Sequence, residues 1–254
     1  MIKVEKSGEH ASTRDIPKGG LMRHVKKSKR VRQRDANIDL TMHYGINEAL
    51  DLVKQRANAK FDETVEVVFA CNVDPRKGDQ NIRGMVELPH GTGRSVRVAV
   101  FAQDDQAQQA KDAGADIVGD LALIEEVQKG RLDFDLCIAT PAMMVHLSKL
   151  GKILGPKQLM PNPKLGTVTM KVAEAVQSAK RGQVSLRAEK QGIVHAILGK
   201  VSFGLDALSG NFQAIQTALL DMKPDGVKGN LIKKAYVSST MGFSLQLDLN
   251  KGLS

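Results

Sequence analysis

Val96-Arg97-Val98-Ala99-Val100-Phe101 begins a stretch in which strand-like and helix-like segments alternate. A helix expected over residues 106–113 closes at Gly114, the residue type that tolerates a left-handed turn past a helix end. A short strand, Asp116-Ile117-Val118, follows, then a helix over residues 121–129 stopped by Gly130, then the strand Leu136-Cys137-Ile138-Ala139. A further helix is expected from Pro141, because proline suits a first helical turn. Repeated strand-helix alternation predicts an α/β (Rossmann-like, parallel-sheet) domain.

Outward from this stretch the pattern changes. On the N-terminal side, Ile46, Leu50 and Val53 recur at helical spacing over residues 45–54, and Phe61, Val65, Val67 and Phe69 fall largely in period two, predicting a strand over 61–69. On the C-terminal side a helix over 172–181 is followed by strands at 183–189 and 193–198. A helix over 205–222 then stops before Pro224, and an antiparallel pair at 231–239 and 243–249 closes the chain. Both ends share this α+β arrangement, which the middle lacks. The expected organisation is an α+β domain formed by both chain ends (domain I, 41–90 and 182–254), an inserted α/β domain (domain II, 91–181) and a basic N-terminal tail (1–40). Both crossings carry glycine, at Gly91 and Gly182, and two single-chain crossings predict a hinge.

The net charge of +9 is unevenly spread. Residues 1–40 hold 11 basic and 5 acidic side chains, a net +6, which leaves 26 and 23, a net +3, for the remaining 214 residues. Seven of the tail's cations lie between Met22 and Arg34, a run that binds a polyanion without selecting a sequence. The body's general field is weak, so any selective nucleic-acid contact must come from a local patch with hydrogen bonds. No apolar run approaches the length of a membrane span, and neither a membrane partner nor a secretory signal is expected. Cys71 and Cys137 sit in apolar, strand-like runs and are expected as free, buried thiols.

Two segments look built for contact. Ser238-Ser239-Thr240-Met241-Gly242 stacks three hydroxyls beside a flexible thioether and a glycine, between two strands. The stretch 155–166 places three prolines and two glycines in twelve residues, and from Leu136 to Ala173 five lysines occur without one acid. That stretch is expected to be stiff, extended and anion-binding. Catalytic and metal sites are not expected. Gly91-Thr92-Gly93-Arg94-Ser95 fails both phosphate-loop patterns, no serine sits in a nucleophile elbow, and the six histidines lack ligand spacing. No cofactor is therefore expected, and a nucleotide-dependent α/β enzyme is the alternative reading. With seven Phe, two Tyr and no Trp, the chain is poor in stacking platforms, which favours folded RNA over single strands.

The motifs Ala59-Lys60-Phe61-Asp62-Glu63-Thr64-Val65-Glu66, Val73-Asp74-Pro75-Arg76-Lys77, Leu88-Pro89-His90-Gly91-Thr92-Gly93, Leu159-Met160-Pro161-Asn162-Pro163-Lys164 and Ser238-Ser239-Thr240-Met241-Gly242 occur in this order. In this the chain resembles the family of the universal large-subunit ribosomal protein number one, in its bacterial form. The resemblance implies a non-enzymatic constituent of the large ribosomal subunit whose partners are the stalk helices of large-subunit ribosomal RNA, exit-site (E-site) transfer RNA, its own messenger and other components of that subunit. It implies a role in shaping the mobile stalk as deacylated transfer RNA leaves, and repression of its own translation. The location implied is the cytoplasmic bacterial ribosome, with the mitochondrial ribosome as alternative. The implied RNA-binding residues are Lys60, Phe61, Thr64, Glu66, Lys200, Ser202, Ser239, Thr240, Met241 and Gly242, with Lys157, Asn162 and Lys164 added by the proline loop. The chain departs from the family pattern where Gln158 replaces a usual glycine, Phe243 a usual proline, and Ile197 the proline common after His195-Ala196.

Overall fold

The computed structural model describes Lys29, Val31, Ile38, Asp39 and residues 42–249. The basic tail expected over 1–40 lies almost wholly outside the described residues. The fold is mixed α/β, with three sheets among the described residues.

The largest sheet is built from β1 (His43–Tyr44), β2 (Thr64–Cys71), β8 (Ile193–Lys200), β9 (Ile232–Ser239) and β10 (Ser244–Leu247). Their order across the sheet is β1-β10-β9-β2-β8. Neighbours are antiparallel except β1, which runs parallel to β10. Alternation decides its faces. Val65, Val67 and Phe69 point inward with Val194, Ala196, Leu198, Ala235 and Val237. Helices α1 (Ile46–Arg56) and α7 (Leu205–Asp221) cover this face with Leu50 and Val53, and with Leu208, Phe212 and Ile215. The rings of Phe69 and Phe212 meet at 5.9 Å. On the other face, Glu66 and Val68 stay half-buried beside the exposed His195 and Ile197.

A two-stranded antiparallel ribbon, β3 (Arg83–Glu87) with β7 (Gln183–Arg187), shares the same apolar core through Val86, Val184 and Leu186. The chain leaves this region at Gly91 and returns at Gly182, and the two glycines are pressed together. A Cβ on Gly182 would stand 2.7 Å from the Gly91 Cα, and both glycines take positive φ, 106° and 67°. Asn211, wholly buried on α7, fixes the crossing. Its carbonyl accepts the His90 N–H at 3.1 Å, and its amide donates to the carbonyls of Gly91 (2.9 Å) and Leu198 (2.7 Å).

Between the crossings lies a parallel sheet made of β4 (Val98–Phe101), β5 (Ile117–Gly119) and β6 (Leu136–Ala139), in the order β5-β4-β6. All four residues of β4 are buried because both faces are covered. One face carries α2 (Asp104–Asp112) and α6 (Val172–Gly182), through Ala110, Val172 and Val176. The other carries α3 (Leu121–Gln128), α4 (Met144–Leu147) and α5 (Gly151–Leu154), through Leu123, Val127, Leu147 and Leu154. Asp116 pins this layer together. Its carboxyl accepts from Lys180 Nζ (2.8 Å) and the Val98 N–H (2.8 Å), and the Lys180 hydrogen bond holds it below the ordinary aspartate range. Both cysteines are buried and free, and burial pushes the Cys71 thiol up to about 11 and the Cys137 thiol up as well, so both stay protonated and inert.

Three expectations need correction. The strand expected from Phe61 begins at Thr64, because the chain bends at Lys60 and Phe61 and leaves the Phe61 ring 55% exposed. The helix expected from Pro141 begins at Met144; Met143 and Met144 donate to Thr140 and Pro141 in tight turns first, and a 3-10 turn at Ser148–Leu150 separates α4 from α5. The proline stretch is not extended but folds into two turns. In the first, the Gln158 N–H reaches the Gly155 carbonyl; in the second, Asn162 caps Pro163–Leu165 and Gly166 closes it at φ 67°. Gln158, where the family pattern has glycine, sits at φ 60°, a left-handed conformation that a side chain disfavours by about 1–2 kcal/mol. Restoring glycine makes the unfolded chain freer and offsets part of that gain. Gln158→Gly is therefore expected to raise stability by about 0.5–1 kcal/mol, read as a higher urea midpoint at unchanged slope; a lower midpoint would contradict the strain.

Candidate RNA interface

The expected contact residues gather at one end of the five-stranded sheet. Pairing alone brings them there, since Thr64 faces Lys200 on β8 while Val65 faces Ser239 on β9. Side chains then tie the three strand ends into one surface. The Thr64 N–H donates to Thr240 Oγ1 at 3.0 Å, and the Thr64 carbonyl accepts from the Thr240 N–H at 3.0 Å and, over a longer 3.3 Å, from its hydroxyl. Lys200 Nζ donates to Thr64 Oγ1 at 2.9 Å and to the Asp62 carbonyl at 3.4 Å. Ser202 gives both its N–H and its hydroxyl to the Asp62 carboxylate, at 3.2 and 2.8 Å.

This stitching sorts the hydroxyls by availability. Ser239 is buried, and its hydroxyl donates to Glu63 Oε2 at 2.7 Å. Gly242 is glycine for the same reason, as a Cβ there would stand 2.3 Å from Ser239 Oγ. Thr64 is different. Its oxygen accepts the Lys200 ammonium, while its own proton remains to be donated outward. Phe61, three residues before Thr64, and Met241, next to Thr240, lie 55% and 47% exposed, large apolar side chains left at the surface. Lys60 and Thr240 are exposed too, and Glu66 lies two residues further along β2, half-buried between Ile197 and Ser238.

Lys157, Asn162 and Lys164 stand apart, on the turns between α5 and α6. No hydrogen bond or ion pair described joins them to the first group. Asn162 Oδ1 caps the Lys164 N–H at 2.9 Å, whereas Lys157 and Lys164 are exposed without an acidic partner among the described residues.

Sequence reasoning missed the residues that hold this surface in shape. Glu63 has the parity of Val65, Val67 and Phe69, so an inward carboxylate was legible there, and it is 2% exposed. The motif Gly91-Thr92-Gly93 also has a local purpose. A Cβ on Gly93, at φ 71°, would stand 2.9 Å from both Lys200 Cγ and the Phe203 ring, so glycine lets Lys200 lie close to this segment. Lys54 Nζ donates to the Phe203 carbonyl and anchors that loop to α1.

Little favours a phosphate at the parallel sheet's carboxyl ends. The N-terminus of α2 carries Asp105, and that of α3 is already capped by Asp120, which accepts the Ala122 N–H at 3.2 Å. Among the described residues no group of three His, Cys, Asp or Glu is placed to hold a metal, and no helix is long and apolar enough to cross a membrane.

The fold is thus a mixed α/β one that ends one sheet in hydroxyl, ammonium and apolar groups. The model of the ribosomal protein L1p/L10e family matches residues 53–243, and the chain belongs to that family. It is a non-enzymatic, structural family of ribosomal proteins that bind ribosomal RNA.

Proposed function

We propose that the surface around Thr64 is the main site for large-subunit ribosomal RNA, formed by Lys60, Phe61, Thr64, Glu66, Lys200, Ser202, Ser239, Thr240, Met241 and Gly242. The observation that carries this is the joining of three strand ends by Thr64, Thr240 and Lys200, which fixes donors and acceptors in advance and lowers the ordering cost of docking. Hydroxyls and backbone suit the 2′-hydroxyls and phosphates of folded RNA. The proposed division is a tail (1–40), domain I (41–90 and 182–254) with this site, and domain II (91–181), whose Lys157, Asn162 and Lys164 add contacts. In the stalk beside the exit site, the protein would help deacylated transfer RNA leave, and the same surface would repress its own messenger. A bacterial ribosome, or a mitochondrial one, is the proposed location.

The two groups of residues should respond differently to salt. Lys164→Ala removes one exposed cation, so it should weaken stalk-RNA binding a few-fold and shallow the log–log salt slope by roughly 0.7–0.9. Titrations from low to high salt, alongside sedimentation with large subunits, test both points. Absence from the large-subunit fraction would end the ribosomal role, and an unchanged slope would remove the proline loop from the interface.

A further inference from the structure

Glu63 is a buried carboxylate on the core side of the surface just described, and it joins two loops that are far apart in sequence. Oε1 accepts the Ala59 N–H at 3.2 Å, while Oε2 accepts the Ser239 hydroxyl at 2.7 Å and the Met241 N–H at 2.9 Å. Its own carbonyl accepts the Val201 N–H at 2.9 Å, which brings in the β8 end. One residue thus ties the segment leading to Lys60 and Phe61, the turn at Thr240 to Gly242 and the loop after Lys200.

We propose that Glu63 is the positioning residue that sets RNA specificity in this protein. It touches no RNA. A carboxylate acceptor makes strong bonds to backbone N–H groups, and these fix the backbone that carries Phe61 and Met241 before RNA arrives. Folded RNA is selected by the spacing of such contacts, so a surface allowed to relax should lose discrimination more than general attraction. Interior bonding also explains why the turn contains Ser239 and Gly242: the first supplies a donor for the carboxylate, and the second makes room for it.

The proposal rests on the interface above, and the test separates the two. Glu63→Gln keeps the shape but presents an amide donor to a site lined by donors, so either the Ala59 or the Met241 N–H loses its acceptor. Affinity for an RNA fragment carrying the stalk helices should fall about tenfold or more, while affinity for a scrambled RNA of equal length and the salt slope stay unchanged. Ser239→Ala deletes a single bond to the same carboxylate and should show the same selective loss to a smaller degree, which covers the case of a Glu63→Gln chain that does not fold. Phe61→Ala reports on the interface itself, because its exposed ring makes none of these bonds. Wild-type discrimination in Glu63→Gln and Ser239→Ala beside a weakened Phe61→Ala would overturn the positioning role alone. Equal losses for stalk and scrambled RNA would also overturn it. A neutral Phe61→Ala would move the interface elsewhere and take both readings down.

Discussion

Replacing Asn211 by leucine is expected to lower stability by about 3–5 kcal/mol. The change keeps the volume close but removes one acceptor and both donors, which leaves the His90 N–H and the carbonyls of Gly91 and Leu198 unpaired. Each buried polar group so orphaned costs about 1–3 kcal/mol, with water relieving part of the total near the surface. A urea melt should show the midpoint falling sharply, and amide exchange at His90 should quicken. A loss below about 1 kcal/mol would mean that the three groups find other partners and that Asn211 does not organise the crossing.

Thr240→Val should have the largest effect on binding among the surface substitutions. It preserves shape and deletes the hydroxyl that accepts the Thr64 N–H and donates to the Thr64 carbonyl. Thr64 keeps the Thr240 N–H on its carbonyl, but its own N–H loses its acceptor, while its hydroxyl is the group left to donate outward. Loss of one well-formed hydrogen bond is worth about 1–3 kcal/mol, or roughly one to two decades in affinity for stalk RNA. No charge changes, so the salt slope should match the wild type. Since Thr240 is exposed, the melting midpoint should barely move. A Thr240→Val protein that binds stalk RNA normally would place the specific contacts elsewhere.

Much of the architecture was legible because periodicity is a local property. Four residues of unbroken apolar sequence marked β6 as Leu136–Ala139, and glycine stops marked the ends of α2 and α3 near Gly114 and Gly130. β1 and β3 were missed. β1 has only two residues and exists through its partner β10, while β3 carries Gly84 and takes its order from β7, about a hundred residues away. Phe61 misled because it has the parity of the inward-facing strand residues but precedes the strand, held off by the bend that Glu63 stabilises. The hydroxyl turn announced itself by composition. Its division into inward Ser239 and outward Thr240 did not, because that depends on Glu63 and Thr64, which reach it only once β2 and β9 pair. Asn211 gave no signal at all, being one polar residue in an amphipathic helix whose partners lie at 90, 91 and 198.

The contact between Gly91 and Gly182 also bears on how such a chain can arise and be re-engineered. The Leu88 N–H already reaches the Gly182 carbonyl at 3.2 Å, so the chain departs and returns through a single gap with both ends in touch. In the proposed division, residues 91–181 join the rest of the chain covalently through that gap, as through a socket, while Gly93 against Phe203 and the turn at Pro163–Leu165 against β3 add further contacts. A short linker is therefore expected to close the gap without rerouting a strand of the five-stranded sheet. Side chains are what the socket forbids. Two glycines back to back leave no room for a Cβ, so any chain with this crossing needs both positions bare, whatever sequence lies between them.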